Sequence, residues 1–467
     1  MTDHPTTATA TRATEAIPDT VRRLRATYAT GRTRSARWRQ DQLSALERML
    51  REREADFAAA LATDLGRPAT DAWLADLAPV AAEARHARKH LDGWMRRKRV
   101  RVPLSAMPAT AWYQPEPLGV VLIIGPWNYP VFLALAPLVG ALAAGNCAVV
   151  KPSEQTPTVS AVLADLVPRY LDPDAVAVVE GAAAETQDLL AQGLDHAFFT
   201  GGPEIGKAVM IGAAAQLTPV TLELGGKSPV LVTANADVTT AARRVAWTKT
   251  LNSGQTCVAP DYVLVDRTVA DEFCAELNRA LDTFLADRPS LLPLVHSRHA
   301  RRIAGLIDGS GGRIVRGGAV DIDNRSAELT VVLDPDLDSA LMREEIFGPV
   351  LPVLVVDSLD DAIDHVGRGP KPLAVYLFSD RRDEQEQVLT RLANGGTVIN
   401  HLMFQVLVTD LPFGGVGNSG MGTYHGKWGF DTFSHRKSVV RKPSRPDPDI
   451  LYPPYTTIKK WLLRRVF

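Results

Sequence analysis

The chain has 467 residues, of which 46% are hydrophobic and 22% charged, with 52 basic and 53 acidic side chains. That length amounts to roughly three domain-sized units, the apolar share can bury a large core, and a formal net charge of -1 gives no electrostatic reason to expect nucleic acid as a partner. Only Cys147, Cys257 and Cys274 are cysteines. They form no disulfide framework and fit no zinc spacing, so no metal is expected and a reducing cytoplasm is the simplest home.

Residues 1–18 are rich in Thr and Ala, carry Asp3 and Glu15 and lack an apolar core. They read as a disordered tail and not as a secretory signal. Leu43, Leu46, Leu50, Phe57 and Leu61 then recur at helical spacing, continued by Trp73, Leu74 and Leu77. The basic run Arg96-Arg97-Lys98-Arg99-Val100-Arg101 reads as a solvated helix end. Residues 103–117, with Pro108, Trp112, Tyr113 and Pro115, read as an extended arm. From Leu118 to Gly145 the one strongly polar side chain is Asn128, and Gly125, Pro126 and Pro130 interrupt the run. A buried strand followed by a buried helix explains it better than a membrane span.

Short apolar segments at 120–124, 148–150, 176–179 and 196–199 alternate with helical patterns, as in a parallel α/β sheet with crossover helices. A second alternation runs from Pro229 to about Ile399, with strands expected at 230–232, 262–265, 351–356 and 373–378. The two α/β units meet at Glu223 to Gly226, and ligand sites favour such seams. The last ten residues, from Ile458, mix apolar and basic groups. They suit a short amphipathic helix docked on the protein itself; contact with a membrane surface is the lesser reading, and the segment is too short to span a bilayer.

Chemistry concentrates in five motifs. Asn252-Ser253-Gly254-Gln255-Thr256-Cys257-Val258-Ala259-Pro260 places a cysteine on a turn of small and polar residues between a helical pattern and a strand. On local pattern alone a lone cysteine is more often a small buried hydrophobe than a nucleophile. The other motifs are Pro126-Trp127-Asn128-Tyr129-Pro130, Leu222-Glu223-Leu224-Gly225-Gly226-Lys227-Ser228-Pro229, Glu344-Glu345-Ile346-Phe347-Gly348-Pro349-Val350 and Leu411-Pro412-Phe413-Gly414-Gly415-Val416-Gly417. Together, and in their order along the chain, the five resemble the aldehyde dehydrogenase superfamily. Gln255-Thr256-Cys257-Val258-Ala259-Pro260-Asp261-Tyr262 and Gly417-Asn418-Ser419-Gly420-Met421-Gly422 resemble its class 3 branch most. The resemblance runs from about Gln40 to Tyr455.

The resemblance implies two doubly wound α/β domains and a small β-arm: a Rossmann-like NAD(P)-binding domain (19–99 and 118–224), a catalytic domain (225–429), an oligomerisation arm (100–117 and 430–445) and a C-terminal tail (446–467). It makes Cys257 the nucleophile, Asn128 the oxyanion donor together with the Cys257 backbone amide, and Glu223 the base that activates the deacylating water. The turn Gly201-Gly202-Pro203-Glu204-Ile205-Gly206 follows a strand and opens a helix, where backbone amides can approach a pyrophosphate. Its spacing is not the three-glycine fingerprint, and Gly202-Pro203 stand where relatives often carry Ser or Thr. Lys151 and Glu154 match the residues that hold the adenosine ribose. Glu345 and Phe347 match those at the nicotinamide ribose and ring, and Trp127 and Leu224 complete the cofactor contacts. A carboxylate at Glu154 would repel a 2′-phosphate, so NAD is favoured mildly over NADP.

Oxidation of a medium- or long-chain aliphatic or an aromatic aldehyde follows, with residues 400–407 at the substrate mouth and a homodimer as the assembly. His401 reads as a packed histidine at the rim rather than a catalyst. Acyl transfer to coenzyme A and a non-catalytic structural role on the same fold are the alternatives. Glu223 argues against the first, because acylating relatives commonly lack it, and the filled catalytic positions argue against the second.

Overall fold

The computed structural model of the protein describes residues 15–286 and 291–466. Most of the expected N-terminal tail, residues 1–14, lies outside the described residues. The first helix already starts at Ile17 and runs to Ala29 with Pro18 in its first turn, so residues 17 and 18 belong to a helix and not to a tail.

A six-stranded sheet has the order Gly420–Met421, Val220–Glu223, His196–Thr200, Val120–Ile124, Cys147–Lys151, Val176–Val178. All neighbours are parallel except the first pair, where Gly420 sits opposite Glu223. Val120–Ile124 and Cys147–Lys151 are buried along their whole length, because helices cover both faces; this is why they read as unbroken apolar runs. The helix Pro130–Ala144 is likewise buried at every position. It packs so tightly on the helix Gly426–Thr432 that a Cβ on Gly140 would lie 3.0 Å from the Gly429 carbonyl carbon.

Chain order reverses between Val120–Ile124 and His196–Thr200. The first strand runs outward through Cys147–Lys151 to Val176–Val178, and the chain then returns to the other side. The crevice beyond the carboxyl ends of two such strands is where open α/β sheets bind ligands. Here it is bordered by residues 125–129 and 201–202, which directly follow those strands.

A seven-stranded sheet has the order Arg313–Arg316, Thr330–Leu333, Val350–Val356, Tyr262–Asp266, Pro229–Val232, Ala374–Phe378, Gly396–Ile399, parallel but for the first pair. A three-stranded antiparallel sheet joins Lys98–Val100, Thr110–Pro117 and Ser434–Arg441. Part of the basic run is therefore a strand and not a helix end. The preceding helix stops at Trp94, and Lys98 to Val100 pair with Tyr113 to Ala111. The C-terminal segment forms a helix, Thr457–Val466.

Candidate active site

The helix Val238–Thr250 is capped by Asp237, whose carboxylate accepts from the Thr240 amide at 2.9 Å. It ends in a turn where Asn252, Ser253 and Gly254 have φ of 48°, 55° and 70°. A left-handed conformation costs a non-glycine residue about 1–2 kcal/mol, so two in a row need support. The Asn252 carboxamide supplies it: Nδ2 donates to the carbonyls of Asn128 (3.1 Å) and Gln255 (2.9 Å), and Oδ1 accepts from Arg67 Nη2 (2.8 Å). Gly254 is required for another reason, since a Cβ there would lie 2.3 Å from the Gly348 carbonyl oxygen.

This turn delivers Cys257 to a cavity of about 320 Å³ whose walls include Leu74, Phe132, Trp247, Leu402 and Phe413. The walls are mostly aliphatic and aromatic. Burial, then the nearby carboxylates of Glu345 and Glu223, push the Cys257 thiol up to about 12. The backbone amides of Cys257 and Val258 oppose that shift. At neutral pH the side chain is a thiol.

Asn128 follows the strand Val120–Ile124 and is 3% exposed. Its Nδ2 donates to the Gln255 carbonyl at 3.2 Å, two residues from Cys257. One N–H of the amide is thus anchored and the second is free to donate to a reacting oxygen. Glu223 ends the strand Val220–Glu223 and is 3% exposed, with no hydrogen-bond partner for either carboxyl oxygen among the described residues. Burial raises its pKa well above the ordinary value. An unpartnered buried carboxyl is costly unless it works on something that arrives.

A second group of residues lies outside the cavity, since residues 201–206, 345 and 347 do not line it; of these, Glu345 is near enough to raise the Cys257 thiol. Gly202 is the N-cap of the helix Pro203–Ala214, with Pro203 in its first turn and Glu204 and Ile205 exposed beside it. A Cβ on Gly202 would meet nothing within 4 Å, whereas one on Gly206 would lie 2.7 Å from Leu224 Cδ2. Gly201 is packed instead, 2.5 Å being the distance from its ideal Cβ to Phe199 Cζ. Thr200, just before the turn, has a buried hydroxyl without a partner. Lys151, buried at the end of its strand, donates to Glu154 Oε2 at 3.1 Å, and Glu154 is exposed. The Glu345 carboxyl sits where a Cβ on Gly225 would be 2.1 Å from Oε2, and burial raises it to about 8. Phe347, at φ 52°, meets Trp127 edge-on with ring centres 5.5 Å apart, and His299 Nε2 lies 2.8 Å from the Phe347 carbonyl oxygen.

These features suit a dinucleotide. An open glycine at a helix N-terminus accepts phosphate, an ammonium and a carboxylate can bracket a ribose diol, and Glu345 offers a second polar anchor near the thiol.

The model of the aldehyde dehydrogenase family matches residues 1–439. Aldehyde dehydrogenase family 3 member B1 of Rattus norvegicus is 43% identical over 95% of this chain and 96% of its own length. The dimeric NADP-preferring aldehyde dehydrogenase of Canis lupus familiaris is 41% identical over 94% and 98%. The structure of AldH from Staphylococcus aureus in a substrate-bound state superposes with a TM-score of 0.93 at 40% identity, covering 97% of this chain and all of that one. The chain belongs to the aldehyde dehydrogenase family, and its relatives include members of the class 3 branch.

Several site residues carried no sequence signal. Tyr424 lines the cavity, and its phenol is held well above the usual range by burial, then by Glu223, Cys257 and Glu83. Tyr129, quoted in the sequence only as a neighbour of Asn128, has its Oη 2.7 Å from Thr256 Oγ1. Arg67 and Asp76 come from the N-terminal helical region, almost 200 residues before Cys257 in the sequence. Their position beside the Cys257 turn is a product of the fold. His401 is absent from the cavity wall and packs against Phe404 with ring centres 3.7 Å apart.

Proposed function

We propose that the chain oxidises an aldehyde to a carboxylic acid with NAD or NADP, Cys257 acting as the nucleophile. The observation that carries this reading is a thiol on the wall of an apolar cavity, with a buried amide tied to its turn through the Gln255 carbonyl and a buried, unpartnered carboxyl near enough to raise the thiol's pKa. As the sulfur bonds to the aldehyde carbon, its proton passes to solvent water, and the carbonyl oxygen becomes an oxyanion facing Asn128 and the Cys257 amide. A neutral amide suits this task because it has no charge to titrate. NAD(P)+ held by the residues named below would supply the hydride acceptor that lets the C–O⁻ of the thiohemiacetal close to a carbonyl. The thioester left on Cys257 is cleaved by water: Glu223, as the carboxylate, takes the water proton and passes it to the departing sulfur, so the carboxylic acid leaves and the thiol is restored. Glu223 is suited to hold a proton because its surroundings disfavour its charged form.

Trp127, Lys151, Glu154, Gly201, Gly202, Pro203, Glu204, Ile205, Gly206, Leu224, Glu345 and Phe347 would hold the cofactor. The exposed Glu154 carboxylate supports NAD mildly over NADP. The apolar cavity, closed on one side by Leu402, Met403, Phe404, Val406 and Leu407, supports medium- to long-chain aliphatic or aromatic aldehydes. The domain division given above, a cytoplasmic location and a homodimer built on the arm sheet complete the proposal. Cys257→Ala tests the core of it. NADH formation from any aldehyde should vanish while cofactor affinity stays near that of the wild type; substantial residual NADH production would remove Cys257 as nucleophile.

A further inference from the structure

Arg67 is 1% exposed and sits between the loop that carries Asn128 and the turn that carries Cys257. Its Nη2 lies 2.6 Å from the Asn128 carbonyl oxygen and 2.8 Å from Asn252 Oδ1. Its Nη1 donates to Asp76 Oδ2. Asp76 Oδ1 in turn accepts from the amides of Val131 and Phe132, both at 3.1 Å. Those amides belong to the first turn of the helix Pro130–Ala144, so the same carboxylate fixes the residues that follow Asn128. The guanidinium also lies over the Tyr129 ring, 4.8 Å from its centre, and Tyr129 reaches Thr256 beside the nucleophile. Asn252 closes the circuit by donating to both the Asn128 and Gln255 carbonyls, while the Asn128 side chain donates to Gln255.

We infer that Arg67, braced by Asp76, is a positioning residue for the oxidation step: it locks the oxyanion donor Asn128 and the nucleophile turn into one rigid unit, acting through Asn128 and Asn252 rather than on substrate. This rests on the reading of Asn128 and Cys257 given above. The physical basis is the planar fork of the guanidinium, whose donors hold a carboxylate, a carbonyl and a carboxamide at once. Two consecutive left-handed residues in the turn would relax if that fork were removed. The distance between the sulfur and the amide N–H that must receive the oxyanion would then be free to vary. Misplacement of about 1 Å at such a site can cost about 10²-fold in rate.

A double-mutant cycle tests the idea, with kcat for NADH formation, cofactor affinity and thermal stability measured on the full chain. Arg67→Met should lower kcat by about 10–10²-fold in the wild-type background. Cofactor affinity should hold within about twofold, and in an Asn128→Ala background the same change should lower kcat further by no more than about threefold. Asn252→Gly keeps the left-handed backbone while deleting the carboxamide, so it provides a stable second variant if Arg67→Met does not fold; it should show the same loss and the same non-additivity. Equal fold-losses in both backgrounds would make Arg67 merely structural and overturn the proposal. So would an Asn252→Gly protein with wild-type kcat. An Asn128→Ala protein with undiminished kcat would instead overturn the underlying reading of the oxyanion site, and this proposal with it.

Discussion

Cys257 and Glu223 share one electrostatic setting: they lie close enough for the Glu223 carboxylate to raise the Cys257 thiol, and desolvation disfavours the charged form of each. In the absence of cofactor, alkylation of Cys257 should therefore be slow at neutral pH. It should rise about tenfold per pH unit through the alkaline range, because only the thiolate reacts; a plateau below pH 9 would show that the thiol is already activated. Glu223→Gln should separate the two half-reactions. Rapid mixing should give a burst of about one equivalent of NADH per site, followed by slow turnover, and mass spectrometry should find the acylated Cys257 peptide. No burst and no adduct, with normal cofactor binding, would place Glu223 before hydride transfer instead.

The buried carboxyls also predict a pH dependence of stability. Glu345 is raised from 4.5 to about 8 and Glu223 is raised in the same direction. The folded state thus keeps protons that the unfolded chain releases. This contribution is fully present below about 4.5 and is lost as pH rises toward 8. The melting temperature should fall across that window, and Glu345→Gln should flatten the fall; identical profiles would mean that Glu345 is already ionised. None of these proton equilibria was legible from residue type. Glu223 alone reads as a surface carboxylate, and the family motif could mark its role but not its missing hydrogen bonds.

The turn at residues 252–257 and the segment at 402–407 set what the site accepts. Each methylene buried in the cavity is worth about 0.8 kcal/mol, or about fourfold in binding. For aliphatic aldehydes kcat/KM should accordingly climb with chain length until the cavity is full. Ala75 lines the same space, so Ala75→Trp should end the climb at a shorter chain; an unchanged profile would place the aldehyde elsewhere. The apolar character of residues 402–407 was readable because they face the cavity as a near-continuous run.

Two other elements were misread or passed over for a tertiary reason. Val220–Glu223 is short and contains Thr221 and Glu223. It is a strand because His196–Thr200 lies on one side and the distant Gly420–Met421 on the other. Lys98–Val100 is a strand because the Trp112 region pairs with it, and no local propensity favours that over a charged helix end.

At the scale of the whole molecule, the arm sheet carries an apolar row on one face. Val100 and Val440 both pair with Ala111, and they are 48% and 67% exposed. Such a row on a small sheet suits an isologous contact with a second copy. Sedimentation should give about twice the chain mass of 50.6 kDa, and Val440→Asp should shift the population toward the monomer; a monomeric wild type would remove the dimer from the proposal.

The sequence by itself determined the two α/β alternations, the glycine turn before the helix Pro203–Ala214 and, through motif order, the family. These are local: an apolar run flanked by turn residues states its own structure, and a reaction's chemistry constrains residue type at each motif. Only the tertiary structure decided that Arg67 and Asp76 brace the Asn128 loop, that Tyr424 joins the site, and that Glu223 stands without a partner. Each of those facts depends on which distant segments the packing brings together, and on how much water it leaves between them.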